Sequence, residues 1–250
     1  PGNYTLTYTI NNPPCIPVTA DVVVTINPIV DAGSNGVHTV CENDAVFNLF
    51  NYLNGSPDPG GTWTDINNIP VPNMFNPSTS GSGTFTYTYT VLGASPCIDA
   101  SADVTVTVDP LPTVTIGGST TITQGMNTPL NFNFTGNAPF TLVYDDGNGP
   151  ITPPSFNSNN GIVNVSPNMT TTYTIISVTD ANGCVSNTSG SATITVNQLP
   201  TVSLSGNNTI CNGDITPLEF ILGGAPNFTI RYNVNGVLDS CVLNNVGANN

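Results

Sequence analysis

The chain has 250 residues with 15 acidic side chains, a single base (Arg231) and a formal net charge of −14. Only 6% of its residues are charged, against about a quarter in ordinary globular proteins, so the surface must be built from Thr, Ser, Asn and Gly. Such a balance excludes phosphate-neutralising nucleic-acid binding, which needs Lys and Arg, and disfavours docking on anionic membrane. It serves solubility instead.

Residues 1–28 carry two strand signals. Tyr4 to Ile10 alternates apolar and polar residues with period two, Asn11 to Pro17 is a turn around Cys15, and Ala20 to Ile26 is a second alternating run. Two strands cannot close a core. Residues 29–110 read as a complete unit. Val37–Val40 and Ala45–Phe50 are expected strands, Asn54 to Gly61 is a Gly/Pro loop before Trp63, Thr84–Leu92 is a strand, Gly93–Asp99 is a hairpin turn holding Cys97, and Ala102–Val108 closes the unit. Residues 111–198 repeat the pattern through seven expected strands: Thr113–Ile116, Thr120–Thr123, Leu130–Thr135, Phe140–Tyr144, Gly161–Val165, Thr171–Val178 and Ala192–Val196. Residues 199–250 start again with Thr201–Leu204, Asn208–Ile210, Pro217–Leu222, Phe228–Val234 and Val237–Leu243, and lack the closing strand pair of the complete units.

The units are tied together by one recurring junction. ADVVVTINPIV at Ala20–Val30 returns as ADVTVTVDPLPTV at Ala102–Val114 and as ATITVNQLPTV at Ala192–Val202. Asn27, Asp109 and Asn197 are equivalent and lie 82 and 88 residues apart, the size of a small domain rather than of a solenoid repeat. Short strands, turn residues and no helical period predict an all-β chain of tandem Ig-like antiparallel β-sandwiches. Pro28, Pro110, Pro112 and Pro200 at the junctions restrict the backbone, so the domains are expected end to end with limited bending.

The LPTV opening, the TICNGD segment at Thr209–Asp214, the TTYTI strand at Thr171–Ile175 and the DANGC hairpin at Asp180–Cys184 resemble the Ig-like and PKD-like repeats of giant surface proteins of Bacteroidetes-type bacteria, including adhesins exported by type IX secretion. Asp145-Asp146-Gly147-Asn148-Gly149 resembles a degenerate form of the PKD family's D-x-G-D-G turn. The resemblance implies a cell-surface or extracellular protein and carries over no catalytic residue. No signal peptide is legible at Pro1 and no apolar run approaches membrane-spanning length, so any export signal or anchor is expected outside this window.

Six cysteines at repeating positions suggest disulfides and an oxidising compartment. Cys41 precedes the second strand of its unit and Cys97 sits in the last hairpin, and Cys211 and Cys15 occupy the same two places in their own repeats. This predicts an intradomain Cys41–Cys97 disulfide, worth about 4 kcal/mol on the loop-entropy account, and a Cys15–Cys211 disulfide between neighbouring copies. Thr123 replaces Cys41 in the middle unit, which leaves Cys184 and the extra Cys241 to bond each other, bond another chain or stay reduced.

Catalytic constellations are thin. His38 is the only histidine and has no nucleophile elbow near it, Glu42 and Glu219 are the only glutamates and fall in different units, and no CxxC or HxxxH spacing supports zinc. The reading is that the chain is not an enzyme. Calcium is the one candidate metal, at Asp145, Asp146 and Asn148, set against the use of the same residue types by tight turns. Trp63 beside Gly60-Gly61 is either core or a stacking platform for a glycan.

Two functions follow. The first is a structural repeat of an extracellular filament or stalk, and the second is a ligand-binding segment of an adhesin that grips a glycan or protein surface. The ends favour an array. Residues 199–250 and 1–28 together make 80 residues, near a complete unit, and Asn245–Asn250 followed by Pro1–Ile10 reproduces the pattern of Asn164–Ile175. Residues 1–28 of one copy are expected to complete residues 199–250 of a neighbouring copy. That copy is either the next stretch of a longer repetitive polypeptide or a separate subunit added head to tail.

Overall fold

The computed structural model describes residues 1–224 and 227–243, with side chains described as far as residue 240. Asn245–Asn250 and the Cys241 side chain, both used in the sequence argument, lie outside the described residues. The chain divides into two units, Pro1–Leu111 and Pro112–Asn250. Apart from a four-residue helix at Pro77–Ser80 and a 3-10 turn at Leu49–Tyr52, the regular structure of the described residues is β.

The first unit begins with a hairpin of β1 (Gly2–Ile10) and β2 (Val18–Ile26), paired with each other through nine Cα pairs from Gly2↔Ile26 to Ile10↔Val18. The strands that follow are β3 (Gly36–Cys41), β4 (Phe47–Asn48), β5 (Thr62–Asp65), β6 (Pro70–Val71), β7 (Met74–Phe75), β8 (Gly83–Val91) and β9 (Ala100–Asp109). One sheet runs β3-β9-β8-β5-β6 and is faced by the β4-β7 pair. Alternation on β9 buries Ala102, Val104, Val106 and Val108 against Leu49, Trp63, Phe75 and Tyr89. Gly36 opens β3 because a Cβ there would collide with the Tyr52 carbonyl. The strand expected at Ala45–Phe50 shrinks to β4, since the Asn48 side chain accepts from Phe50 N–H (3.0 Å) and starts the 3-10 turn.

The second unit holds β10 (Thr113–Gly117), β11 (Thr120–Thr123), β12 (Thr128–Thr135), β13 (Thr141–Asp145), β14 (Pro150–Ile151), β15 (Asn160–Val165), β16 (Thr171–Thr179), β17 (Val185–Ser186) and β18 (Ser191–Asn197). They form a sheet β10-β12-β15 and a sheet β11-β18-β16-β13-β14, with β17 on β16. Phe132, Phe134, Phe140, Leu142, Tyr144 and Ile194 fill the space between them. The remaining strands, β19 (Thr201–Ser205), β20 (Glu219–Gly223), β21 (Phe228–Val234) and β22 (Val237–Leu243), make two isolated pairs, β19-β20 and β21-β22. Among the described residues there, Leu222, Phe228 and Ile230 form a buried cluster. The strand expected at Asn208–Ile210 is not formed.

Both sandwiches depart from a purely antiparallel plan at one edge. β3 pairs with β9 in parallel, with Gly36↔Val104 and Cys41↔Asp109. β11 pairs with β18 in parallel, with Thr123↔Asn197. In the second unit the chain reaches its edge strand β11 from β10 of the opposite sheet, a connection that no local periodicity reveals.

Candidate assembly interface

The parallel register decides the cysteine chemistry. Cys41 lies beside Asp109, at the end of β9 from which the chain leaves the first domain, and Glu42 N–H donates to the Asp109 carbonyl at 3.0 Å. Cys97 lies before β9, in a turn closed by Cys97 N–H to the Ala94 carbonyl at 2.9 Å. The ten residues of β9 separate the two ends by about 30 Å, whereas a disulfide needs Cα atoms within about 7 Å. The expected Cys41–Cys97 bond is therefore not formed: Cys97 is a free thiol, while Cys41 and Cys184 are both disulfide-bonded. Cys15 and Cys211 are free and exposed. They occupy the places of Cys97 and Cys41, so the same separation argues against joining them within one completed domain.

Cys184 belongs to the hairpin after β16, at the end where the chain enters the second domain. Its N–H donates to Asp180 Oδ1 at 3.1 Å, and the buried Asp180 carboxylate also accepts from the amides of Asn182 (3.0 Å) and Asn137 (3.5 Å). Pro112, the first residue of the unit, packs near the same corner at Gly136. Cys211 repeats the environment of Cys41. Cys41 N–H donates to Asp44 Oδ2 at 2.8 Å, and Cys211 N–H donates to Asp214 Oδ2 at 3.2 Å.

The most unusual surface is the β1–β2 hairpin. Its residues are exposed on both faces. Tyr4, Leu6, Tyr8 and Ile10 share one face with Val22, Val24 and Ile26, and the last three are 60%, 43% and 51% exposed. The equivalent Val104, Val106 and Val108 are 0%, 0% and 2% exposed. Burying each side chain of that size is worth about 1.5–3 kcal/mol, so the hairpin face withholds on the order of 10 kcal/mol. The residues 199–243 show the complementary deficit: Val202, Leu204, Ile210 and Leu218 are exposed, and Gly206 to Leu218 form no strand. Gly206 stands where Gly36 opens β3, five residues ahead of Cys211 as Gly36 is of Cys41.

The other candidates are absorbed by local structure. In the Asp145–Gly149 turn, Asp145 Oδ1 accepts from Gly147 N–H (2.6 Å) and Gly149 N–H (3.1 Å), and Asp146 Oδ1 accepts from both the backbone and side-chain nitrogens of Asn148. The Asp145 and Asp146 Oδ1 atoms and the Asn148 amide are used by the turn's own hydrogen bonds, as in an ordinary Asx turn. Among the described residues no group of three or more His, Cys, Asp or Glu gathers. Trp63 is 5% exposed and packs on Tyr89 with ring centroids 5.1 Å apart, which makes it core rather than a platform. His38 stacks on Tyr52 at 3.8 Å, and burial lowers its pKa below 6.5 against the opposing pull of Asp44.

No protein-family model and no curated protein matches the sequence. Among solved structures, a three-domain I-band fragment of titin is similar at 12% identity and TM-score 0.46, covering 90% of each chain. The N-terminal eight Ig domains of the Down syndrome cell adhesion molecule match at 11% identity and TM-score 0.47, over 98% of this chain and 36% of that one. A structure from a 1.5-MDa bacterial ice-binding adhesin matches at 16% identity and TM-score 0.32, over 78% of this chain and 74% of that one. No helix among the described residues is long and apolar enough to cross a membrane. The chain is an all-β protein in which residues 29–111 and 112–198 each fold as two β-sheets around a shared core.

Proposed function

We propose that this chain is a structural repeat of an extracellular, cell-surface filament or stalk, with no catalytic role, in which successive copies complete one another's domains. The observation that carries the reading is the bare β1–β2 face, taken with the two separate strand pairs that the described residues of 199–243 form. The occupant of the hairpin is residues 199–243 of a second copy. Register supports this choice. The β8–β9 hairpin has nine Cα pairs, as β1–β2 has, and it takes β3 in parallel on β9 and β5 antiparallel on β8. Transferred to β2, that arrangement seats Gly206–Cys211 of the second copy in parallel against Val22–Asn27. The antiparallel place on β1 then falls to β21. The resemblance to surface repeats exported by type IX secretion supports the setting, as does an acidic, lysine-free surface that offers trypsin-like proteases only Arg231.

The test is assembly of the purified 250-residue chain, followed by sedimentation velocity and negative-stain microscopy in reductant. Concentration-dependent linear oligomers are expected, and Val24→Asp is expected to abolish them while leaving the monomer folded, since Val24 is exposed in the monomer. Monomers at all concentrations, or oligomers indifferent to Val24→Asp, would overturn the reading. Mass spectrometry of denatured, reduced native material then separates subunits near 26 kDa from a much longer repetitive chain.

A further inference from the structure

The cysteines sort by position once the parallel edge strands are known. Each domain has an outgoing-end site beside the last residue of its closing strand: Cys41 beside Asp109, Thr123 beside Asn197, and Cys211 at the place that would face Asn27. Each domain also has an incoming-end site in its last hairpin: Cys97, Cys184 and Cys15. The oxidised residues are Cys41, at the outgoing end of the first domain, and Cys184, at the incoming end of the domain that follows it in sequence. Cys211 and Cys97, which are free, hold the same two kinds of site.

A contact within the first unit brings these sites together. Asn27, immediately after β2, donates from its side-chain nitrogen to the carbonyls of Ala94 (3.3 Å) and Ser95 (3.0 Å). Those carbonyls belong to the turn that carries Cys97, and Cys97 N–H closes that turn onto the same Ala94 carbonyl. A second copy docked on β2 in the register of β3 on β9 places Cys211 opposite Asn27, as Cys41 is opposite Asp109. Paired strands lie about 4.8 Å apart, so Cys211 arrives next to the Cys97 turn.

We infer that Cys211 of one copy forms a disulfide with Cys97 of the next, locking the completed domain to the domain that follows it. The inference rests on the strand-completion reading above. Formation needs an oxidant, here a low-molecular-weight disulfide such as oxidised glutathione. The Cys211 thiolate attacks that disulfide and releases one thiol. The Cys97 thiolate then attacks the Cys211 sulfur of the mixed disulfide and releases the second thiol. Two protein thiols are oxidised and one small disulfide is reduced to two thiols. The rule also explains a leftover. The outgoing-end site preceding Cys15 in the array is Thr123, so the rule gives Cys15 no partner among these sites, in keeping with its free thiol.

The experiment uses the full 250-residue chain carrying Cys15→Ser, incubated in a glutathione redox buffer. Non-reducing electrophoresis should show a covalent ladder, and Asp-N digestion without reductant should yield a Cys97 peptide joined to a Cys211 peptide. Cys97→Ser alone and Cys211→Ser alone should give monomers, and mixing the two should give a covalent dimer and nothing longer. Assembly in reductant without the Cys97–Cys211 peptide, or with Cys211 joined to a different cysteine, overturns the disulfide and leaves strand completion standing. No assembly in reductant and no ladder overturns both.

Discussion

The hairpins β1–β2 and β8–β9 are near copies in sequence, length and register, yet one is bare and the other is the centre of a core. Val104, Val106 and Val108 on β9 are sealed by Leu49, Trp63 and Phe75, whereas Val22, Val24 and Ile26 on β2 face outward. The difference teaches that the alternating pattern specifies which face is to be buried, and that burial itself is supplied by other strands. A two-stranded hairpin offers its apolar face but cannot cover it.

The sharpest way to break the comparison is to place a charge at equivalent positions. Val106→Asp should unfold the first domain, because an unpaired carboxylate in that fully buried site costs about 3–5 kcal/mol or more. Val24→Asp should leave monomer stability within about 0.5 kcal/mol of the parent, as surface changes do. Calorimetry of the two variants in reductant checks this, and equal losses would mean that the hairpin is already buried in the monomer.

The cysteines allow a second contrast. Cys184→Ser should cost about 2–4 kcal/mol, read as a lower denaturant midpoint, because a disulfide is lost from a buried site. Cys97→Ser should stay within about 0.5 kcal/mol in the isolated chain, because its thiol is free there.

A smaller effect separates the tyrosines. Tyr89 accepts from Gly61 N–H at 2.8 Å and donates to the Asp58 carbonyl at 2.7 Å. Tyr89→Phe strands both partners and should cost about 1–2 kcal/mol, while Tyr8→Phe on the bare hairpin should cost nothing measurable in the monomer by urea titration.

The smallest expected effect is a pH slope confined to the first domain. His38 has its pKa lowered by burial, so the unfolded chain binds the proton more readily than the fold does. Stability is full above the unfolded value near 6.5 and declines as pH falls from there towards the lowered folded value. His38→Gln should flatten that window in a urea titration, and an unchanged slope would show that His38 does not carry it.

The bare face of the first hairpin was legible in the sequence: period two puts Tyr4, Leu6, Tyr8 and Ile10 on one side of β1. The strand limits are close for Phe228–Val234, Val237–Leu243 and Thr120–Thr123, where alternation or β-branching is strong. The short β5, β6 and β7 gave no such signal, because Gly/Pro-rich surroundings and two-residue strands leave no period to read.

Sequence by itself determined the all-β class, the repeat length and the alternation of buried and exposed faces, because each is written in spacings along the chain that hold wherever the strand ends up. Tertiary structure alone decided which strand lies beside which, and in which direction. The parallel placement of β3 on β9 sent Cys41 and Cys97 to opposite ends of one strand, although their positions in the repeat made them look like partners. Strand direction at an edge depends on how the chain crosses between sheets, a choice set by the whole core and not by any residue's neighbours in sequence.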